Sequence, residues 1–174
     1  MADLKKMTRI FSFAPIESPA ATILILGSMP GKKSLEMQQY YAHPQNVFWR
    51  ILAQLFGFDA QAPYEARIRH LQDSGVALWD VLAACERRSS LDSDIVESTI
   101  VPNDFGAFLS GHRLIEHIYC NGAKSYDSFL RHVRPGLDGK HHEIPVTRMP
   151  STSPAHAAMT YADKLEQWRK AILA

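Results

Sequence analysis

The apolar residues of this chain occur in two patterns, short continuous runs and helical repeats. Four runs predict strands, at residues 22–27, 75–79, 114–120 and 144–149, and the first of them is typical of a strand buried on both faces. Four other segments predict helices, at residues 46–56, 63–72, 123–133 and 161–173. Gly57 follows the first of these helices, at a position where glycine commonly ends a helix. Strands and helices therefore alternate along most of the chain.

Such alternation is typical of an open, mostly parallel sheet that is covered by helices on both faces. We therefore predict an α/β fold, a three-layer α/β/α sandwich around a four-stranded parallel sheet. The length of 174 residues corresponds to a single domain spanning residues 1–174. The first 20 residues, which include Pro15 and Pro19, are expected to form an arm or an edge strand that leads into the core.

Polar and turn-forming residues follow each predicted strand. They are the segment Gly27-Ser-Met-Pro-Gly31, then Asp80, the pair Asn121-Gly122, and the segment Pro150-Ser-Thr-Ser-Pro154. Ligands of open parallel sheets bind at the carboxyl ends of the strands, so we expect the functional site at this edge. Asp80 has two interpretations, a wall of the pocket or a cap for the next helix.

Composition limits the class of protein. With 46% hydrophobic and 21% charged residues, the chain is expected to be globular, and its longest apolar run is too short to span a membrane. No apolar block follows Lys5, Lys6 and Arg9, so no signal peptide is expected. Two cysteines are too few for an iron–sulfur cluster or a four-cysteine zinc site. We expect a reduced, cytoplasmic, monomeric protein without metal or cofactor.

The charged and histidine residues give weaker indications. A net charge of +1 does not support a protein that coats nucleic acid, although a nearly neutral chain can carry a local basic face. The run Arg87-Arg88-Ser89-Ser90 is a candidate phosphate contact on such a face. The adjacent histidines His141 and His142 lack the spacing of helical metal ligands and are expected at the surface.

The loop after the first strand resembles a phosphate-binding loop only superficially. Three residues separate Gly27 from Gly31, whereas a nucleotide-binding loop needs four before its Lys-Ser/Thr pair. Nucleoside triphosphate binding is therefore not expected. A glycine-bounded turn between strand and helix still exposes backbone N–H groups that suit a carbonyl or an oxyanion, unless it serves only as a tight turn. Neither Ser28 nor Ser153 lies in a Gly-x-Ser-x-Gly elbow, which disfavours a serine hydrolase.

Residues 40–49 combine a helix start with several aromatic side chains. Asn46 is well placed to cap the helix that follows, and Phe48 and Trp49 are expected in the core. Two adjacent tyrosines, Tyr40 and Tyr41, are expected to enter one cleft. An aromatic face beside exposed backbone N–H groups suits a stacked heterocycle.

Three motifs together resemble a known family. Gly27-Ser-Met-Pro-Gly31, Tyr41-Ala-His-Pro-Gln-Asn-Val-Phe-Trp49 and Ser151-Thr-Ser-Pro-Ala155 are similar to motifs of the uracil-DNA glycosylase superfamily. Within it, the chain most resembles the hypoxanthine-DNA (DNA-deoxyinosine) glycosylases, and its first two motifs also resemble the mismatch-specific uracil glycosylases. The resemblance implies an enzyme of base-excision repair that flips a deaminated base of DNA into a pocket and hydrolyses its N-glycosidic bond.

The resemblance also implies roles for individual residues. Many superfamily members orient the attacking water with Asn or Asp where this chain has Met29. In the hypoxanthine branch, the asparagine of the His-Pro-x-Asn motif takes the catalytic role, and the resemblance implies this role for Asn46. The base would contact Gly27, Ser28, Met29, Pro30, Tyr41 and Asn121. Tyr41 would stack on the base, while Asn121 would read its edge or simply form an Asn-Gly turn.

The last motif would bind the DNA backbone. A phosphate beside the flipped nucleotide would contact Ser151, Thr152, Ser153, Pro154, Ala155 and His156. Other branches have a histidine at the start of this motif and a bulky wedge near its end, where this chain has Ser151 and Ala155. His156 is the candidate for filling the gap in the base stack.

Two other functions are compatible with the sequence. A uracil or mismatch-type glycosylase would differ only in the shape of the pocket. A non-catalytic DNA- or nucleotide-binding module would keep the fold without activity, and Met29 is the feature that favours it. No lysine nucleophile lies in the motifs, so an active enzyme is expected to leave an abasic site without cutting the strand.

Overall fold

The computed structural model describes residues 7–174. Its seven strands are β1 (Thr8–Phe11), β2 (Ile23–Gly27), β3 (Val76–Asp80), β4 (Leu82–Arg87), β5 (Val101–Pro102), β6 (His117–Asn121) and β7 (Val146–Met149). Its seven α-helices are α1 (Lys32–Met37), α2 (Phe48–Phe56), α3 (Tyr64–Asp73), α4 (Phe105–Gly111), α5 (Ala123–Ser128), α6 (Gly139–His142) and α7 (Tyr161–Leu173). Residues 1–6 of the predicted arm lie outside the described residues.

The predicted four-stranded parallel sheet is confirmed. Its strand order is β3-β2-β6-β7, and all three neighbouring pairs are parallel. Alternate residues of β2 point to opposite faces, since Leu24 and Leu26 belong to one buried cluster and Ile25 belongs to another. Because both faces are covered, the strand has a continuous apolar run in place of a polar alternation.

Helices cover both faces and give the predicted three-layer α/β/α sandwich. One face packs against α2, α3 and α7, which contribute buried Phe48, Leu71 and Trp168. The other face packs against α4 and the turn after α5, represented by buried Phe105 and Phe129. The helix predicted over residues 123–133 is α-helical only to Ser128 and then widens into a π-helical turn over Phe129–Val133.

A second, antiparallel sheet was not predicted. It has the order β1-β4-β5, and the N-terminal arm supplies its edge strand β1. β4 begins two residues after β3 ends, so Asp80 is followed by a strand. The interpretation of Asp80 as a helix cap was therefore wrong. Gly57, in contrast, has φ of 74° and its N–H donates to the Ala53 carbonyl at 2.8 Å, as predicted for the end of α2.

Candidate active site

The carboxyl ends of the four parallel strands bring the predicted site segments together. Gly27 of β2 lies opposite Asp80 of β3, and Asn121 of β6 lies opposite Met149 of β7. β2 and β6 pair up to Leu26 and Cys120, which places Gly27 and Asn121 side by side. The loops that follow these strands therefore form one continuous edge, where ligands of open parallel sheets bind.

The first loop is held in place by the segment that follows β4. Ser28 Oγ donates to Asp92 Oδ1 at 2.6 Å, and the Lys32 N–H donates to Ser90 Oγ at 2.9 Å. Within residues 7–174, the backbone N–H groups of Ser28 and Met29 donate no hydrogen bond to the protein. They are therefore available to a ligand. The Met29 side chain itself is buried in the core, so this residue presents its backbone to the site.

Arg87 does not lie where a phosphate contact was expected. Only 5% of this residue is exposed, and its Nη2 donates to the Pro30 carbonyl at 2.6 Å. It faces inward because it belongs to β4, behind the first loop. The interpretation of Arg87 as a surface phosphate contact is wrong, and Arg88 is the exposed residue of the pair. Ser89 is also engaged, since its Oγ donates to Asp94 Oδ2 at 2.5 Å.

Asn46 lies in the turn immediately before α2 and is half-buried. Its Oδ1 accepts a hydrogen bond from the Phe48 N–H at 2.9 Å, which confirms the predicted cap and fixes the carboxamide. The next residue, Val47, donates its N–H to the Thr152 carbonyl at 3.1 Å. The turn that carries Asn46 and the last loop are therefore joined directly.

The last loop is tied to β6 through Thr152, which is only 1% exposed. Asn121 Nδ2 donates to Thr152 Oγ1 at 2.9 Å, and the Thr152 N–H donates to Asn121 Oδ1 at 3.0 Å. Both ends of the Asn121 amide are thus engaged within the protein. The polar atoms of Thr152 are therefore used within the protein and are not offered at the surface, where a DNA-binding contact was expected.

The rest of the predicted DNA loop lies closer to the surface. Pro154 and Ala155 are exposed, whereas Ser151, Ser153 and His156 are half-buried. Ser151 Oγ accepts from the Ser153 N–H at 3.2 Å, and Ser153 Oγ accepts from the Ala155 N–H at 3.2 Å. These short-range bonds shape a compact turn next to the strand ends.

The side chains of the adjacent residues Tyr40 and Tyr41 lie in different surroundings. Tyr40 is buried and its hydroxyl donates to the Ala14 carbonyl at 2.8 Å, so it packs against the N-terminal arm and does not enter the cleft as expected. Tyr41 has φ of 53°, which turns the chain between the two side chains. The Tyr41 ring stacks on Phe48 with centroids 4.0 Å apart, so only its opposite face is available to a base. Phe48 and Trp49 are buried, as predicted.

Asp80 is the most unusual group at this edge. The residue is 4% exposed, and burial raises the pKa of its carboxyl to about 7, with Asp92 adding to the rise and Arg87 opposing it. A Cβ atom at position 27 would overlap Asp80 Oδ1 and would lie 2.8 Å from Tyr41 Oη. Glycine is therefore required at position 27 so that this carboxyl and this hydroxyl can approach the backbone.

The contacts of Asp92 and Arg87 could not be predicted from the sequence. Ser28 and Asp92 are separated by 64 residues, and Pro30 and Arg87 are separated by 57. Neither pair lies in a motif. The position of Asp80 directly after a predicted strand did indicate a place at the functional edge of the sheet. That position does not indicate that its carboxyl is buried.

Comparisons with known proteins agree with this fold. The family model described as the Uracil DNA glycosylase superfamily matches residues 14–174. The chain belongs to this superfamily, as its three motifs predicted.

Two relatives and one solved structure are similar to this chain over most of its length. The chain is 37% identical over 122 residues to the Hypoxanthine DNA glycosylase of Methanosarcina barkeri, which covers 68% of this chain and 76% of the relative. It is 36% identical over 135 residues to the Hypoxanthine DNA glycosylase of Methanosarcina acetivorans, and the aligned part covers 77% of this chain and 80% of the relative. A solution NMR structure from M. acetivorans, provisionally assigned as a uracil DNA glycosylase, superposes with a TM-score of 0.77 at 28% identity, covering 94% of this chain and 96% of that one.

No helix in residues 7–174 is long and apolar enough to cross a membrane. In the same part of the chain, no group of three or more His, Cys, Asp or Glu side chains is arranged to hold a metal ion. Cys85 and Cys120 are both buried and free.

Proposed function

We propose that this protein is a DNA glycosylase that hydrolyses the N-glycosidic bond of hypoxanthine in DNA and leaves an abasic site. The names of its two Methanosarcina relatives support hypoxanthine as the base. The observation that carries the proposal is the hydrogen bond from the Val47 N–H to the Thr152 carbonyl, at 3.1 Å. It joins the turn of Asn46 to the last loop, so that a water and a flipped nucleotide can be held at one place.

Asn46 is the residue that we assign to the attacking water. Its Oδ1 accepts one hydrogen bond from the Phe48 N–H, and an amide oxygen has a second lone pair that is free to accept a proton of water. An amide is not a strong base. It does not need to be one, because the breaking C1′–N9 bond leaves positive charge on the sugar, which a positioned water can attack.

The first loop would stabilise the departing base. Negative charge develops on hypoxanthine as its bond to the sugar breaks, and preorganised N–H donors stabilise such charge. The free N–H groups of Ser28 and Met29 are suitable donors, in a loop with Gly27 and Pro30 that is held rigid from behind. The open face of Tyr41 would stack on the base.

The last loop would hold the DNA strand. Ser151, Ser153, Pro154, Ala155 and His156 form its accessible part, and DNA phosphates are commonly bound by hydroxyl and backbone N–H groups. His156 remains the candidate for entering the base stack. Thr152 and Asn121 would act by fixing the position of this loop relative to β6.

The test is base release from labelled duplexes that contain one hypoxanthine, uracil or xanthine, developed with alkali. We expect the wild type and the control Gln45→Ala, an exposed neighbour of Asn46, to release hypoxanthine. Asn46→Ala should lower the rate by about 100-fold or more, because a misplaced nucleophile costs at least that much. Thermal unfolding must accompany the assay, since the same change removes a helix cap worth about 1 kcal/mol.

Other results would select a different function. Hypoxanthine release that survives Asn46→Ala would keep the enzyme and reject the role of Asn46. No release from any duplex, together with retarded DNA in a binding gel, would indicate a non-catalytic DNA-binding module.

A uracil glycosylase is the second candidate, and the similarity to the M. acetivorans NMR structure favours it. Uracil and hypoxanthine present the same N–H and carbonyl pair on one edge, so the first loop suits both bases. Faster release of uracil than of hypoxanthine in the same assay would select this candidate.

A further inference from the structure

Lys164 is a buried cation for which the fold supplies no counter-ion. It lies on α7, and only 5% of the residue is exposed. Lysine is almost never buried to this extent unless an anion pairs with it. Among residues 7–174, the ion pairs of lysine side chains involve Lys124 and Lys170 and not Lys164. Burial lowers the pKa of the Lys164 ammonium, and no carboxylate of the described residues offsets that effect.

The ammonium of Lys164 lies against the last loop. Its Nζ donates to the Ser153 carbonyl at 3.4 Å, and the same carbonyl accepts from the His156 N–H at 3.1 Å. This contact uses one of the three donors of an ammonium. A long hydrogen bond to a shared carbonyl does not compensate for the burial of a charge. The contact therefore does not explain why a lysine is buried here.

The position of α7 relative to the last loop is fixed. Trp168 lies one turn after Lys164, on the same face of the helix, and its Nε1 donates to the Pro150 carbonyl at 3.0 Å. On the other side, the Thr152 carbonyl accepts from the Val47 N–H at 3.1 Å. The loop thus turns three of its carbonyls toward the body of the protein. Lys164 is held behind the segment that we expect to face DNA.

We propose that the ammonium of Lys164 is the counter-ion of one DNA phosphate, the phosphate that the last loop holds beside the flipped nucleotide. This inference rests on the proposed function and adds a positive charge to a loop whose own residues 150–155 carry none. The hydroxyls of Ser151 and Ser153 would orient the phosphate oxygens, while the ammonium would supply the charge. Because it is buried, its attraction for a phosphate is screened less than that of a surface lysine.

The same arrangement predicts a difference between the free and the DNA-bound protein. Without DNA the buried ammonium lacks an anion, so it contributes little to the stability of the fold. An apolar side chain of similar length should therefore be tolerated at position 164, since replacing a buried ion by a well-packed apolar group is often neutral or stabilising. A lysine that served only to hold the loop would behave in the opposite way, and its loss would lower the melting temperature.

The experiment compares the wild type with two variants of Lys164. Lys164→Met keeps the length of the apolar stem and removes the charge, whereas Lys164→Arg keeps the charge. Lys170→Met is the control, because Lys170 is an exposed lysine of the same helix, further from the last loop. The probe is a labelled duplex with one tetrahydrofuran abasic-site analogue, which the enzyme cannot hydrolyse. Dissociation constants are measured between about 50 and about 200 mM NaCl, and the thermal unfolding of each free protein is recorded.

We expect Lys164→Met to have a shallower dependence of log K on log salt, by about 0.9, which is the effect of losing one phosphate contact. Its dissociation constant near 100 mM NaCl should rise by about tenfold or more, the usual loss for a hydrogen bond to a charged group. Lys164→Arg and Lys170→Met should keep the wild-type slope. Free Lys164→Met should melt at or above the wild-type temperature.

Two results would overturn the inference. A folded Lys164→Met with the wild-type salt slope would show that no phosphate pairs with this ammonium, and a lower melting temperature in that variant would assign the lysine to loop structure alone. An equal loss of slope in Lys170→Met would show that any cation of α7 acts at long range. If Lys164→Met does not fold, the salt slope of Lys164→Gln decides, since glutamine keeps a donor without the charge.

The base-release assay separates this inference from the proposed function. A wild type that binds the duplex, loses one phosphate contact in Lys164→Met and releases no base would refute the proposed function and keep the phosphate contact. A wild type that releases hypoxanthine while Lys164→Met keeps the wild-type slope would keep the function and reject the role of Lys164. A wild type that binds no duplex even near 50 mM NaCl would refute both.

Discussion

Replacing Asp80 by Asn should stabilise the protein, and the gain should grow with pH. The carboxyl is 4% exposed and its Oδ2 has no partner within the described residues, so ionisation inside the fold is unfavourable. Asparagine has nearly the same shape and stays neutral. The substitution therefore removes the ionisation and leaves the packing around Gly27 unchanged.

The size of the effect follows from linkage. The carboxyl has a pKa of about 7 in the folded protein, against an ordinary value of 3.8. Between these values the folded state keeps a proton that the unfolded state has lost, so wild-type stability falls as pH rises through this window. A difference of one unit between the pKa values of the folded and unfolded states corresponds to about 1.4 kcal/mol. The full rise of about three units therefore gives an upper limit of about 4 kcal/mol.

The assay is urea unfolding of both proteins at a series of pH values. We expect nearly equal stabilities near about pH 4 and a more stable Asn variant by up to about 4 kcal/mol near about pH 8, with most of the divergence in between. An offset that is the same at every pH would refute the reasoning, because it would show that the carboxyl ionises alike in both states. Asp127→Asn, at an exposed carboxylate of α5, serves as the control for loss of an exposed charge.

Three further predictions concern the site and its supports. Gly27→Ala would push a Cβ into the Asp80 carboxyl, so it should cost about 1–3 kcal/mol by overpacking and slow base release by about 100-fold, as read in urea unfolding and the duplex assay. Thr152→Val should cost about 1–3 kcal/mol in the same unfolding assay, because it leaves Asn121 Nδ2 buried and unpaired, whereas Thr152→Ser should restore most of the loss. Hydrogen bonds from Lys124 and His132 lower the pKa of Glu97 to about 2, so Glu97→Gln should lower the free energy of unfolding, by only about 1 kcal/mol because the carboxylate is partly exposed. This loss of stability should be full above the ordinary pKa of Glu and should vanish as pH falls toward 2. A loss of stability that persists in acid would count against the ion pairs.

The main sheet could be predicted because its signal is local. A short apolar run such as Ile23-Leu-Ile-Leu26 is typical of a strand with both faces covered, and glycines and polar residues mark where the strands end. The small antiparallel sheet had no such signal. β5 has only two residues, and the apolar part of β4, Leu82-Ala-Ala-Cys85, follows β3 so closely that no glycine or proline marks it as a separate strand.

The site was predictable where function depends on position along the chain, and obscure where it depends on contacts across the fold. Asn46 as a helix cap follows from its place before α2. The burial of Asp80, the inward turn of Arg87 and the engagement of Asn121 by Thr152 all arise from segments that meet only in the folded state. Charge and spacing alone favoured a surface arginine and a free asparagine.

The supports of the first loop also have a consequence for local unfolding. Pro30, Lys32 and Ser28 are held by residues 57, 58 and 64 positions later in the chain, in β4 and the turn after it. Ser90 and Asp92 of that turn lie in an exposed segment, whereas the central strands of the parallel sheet are buried on both faces. The turn can therefore open while the sheet stays intact. Any change that loosens β4 or the turn after it will release the pocket before it unfolds the core, and loss of activity will precede loss of structure.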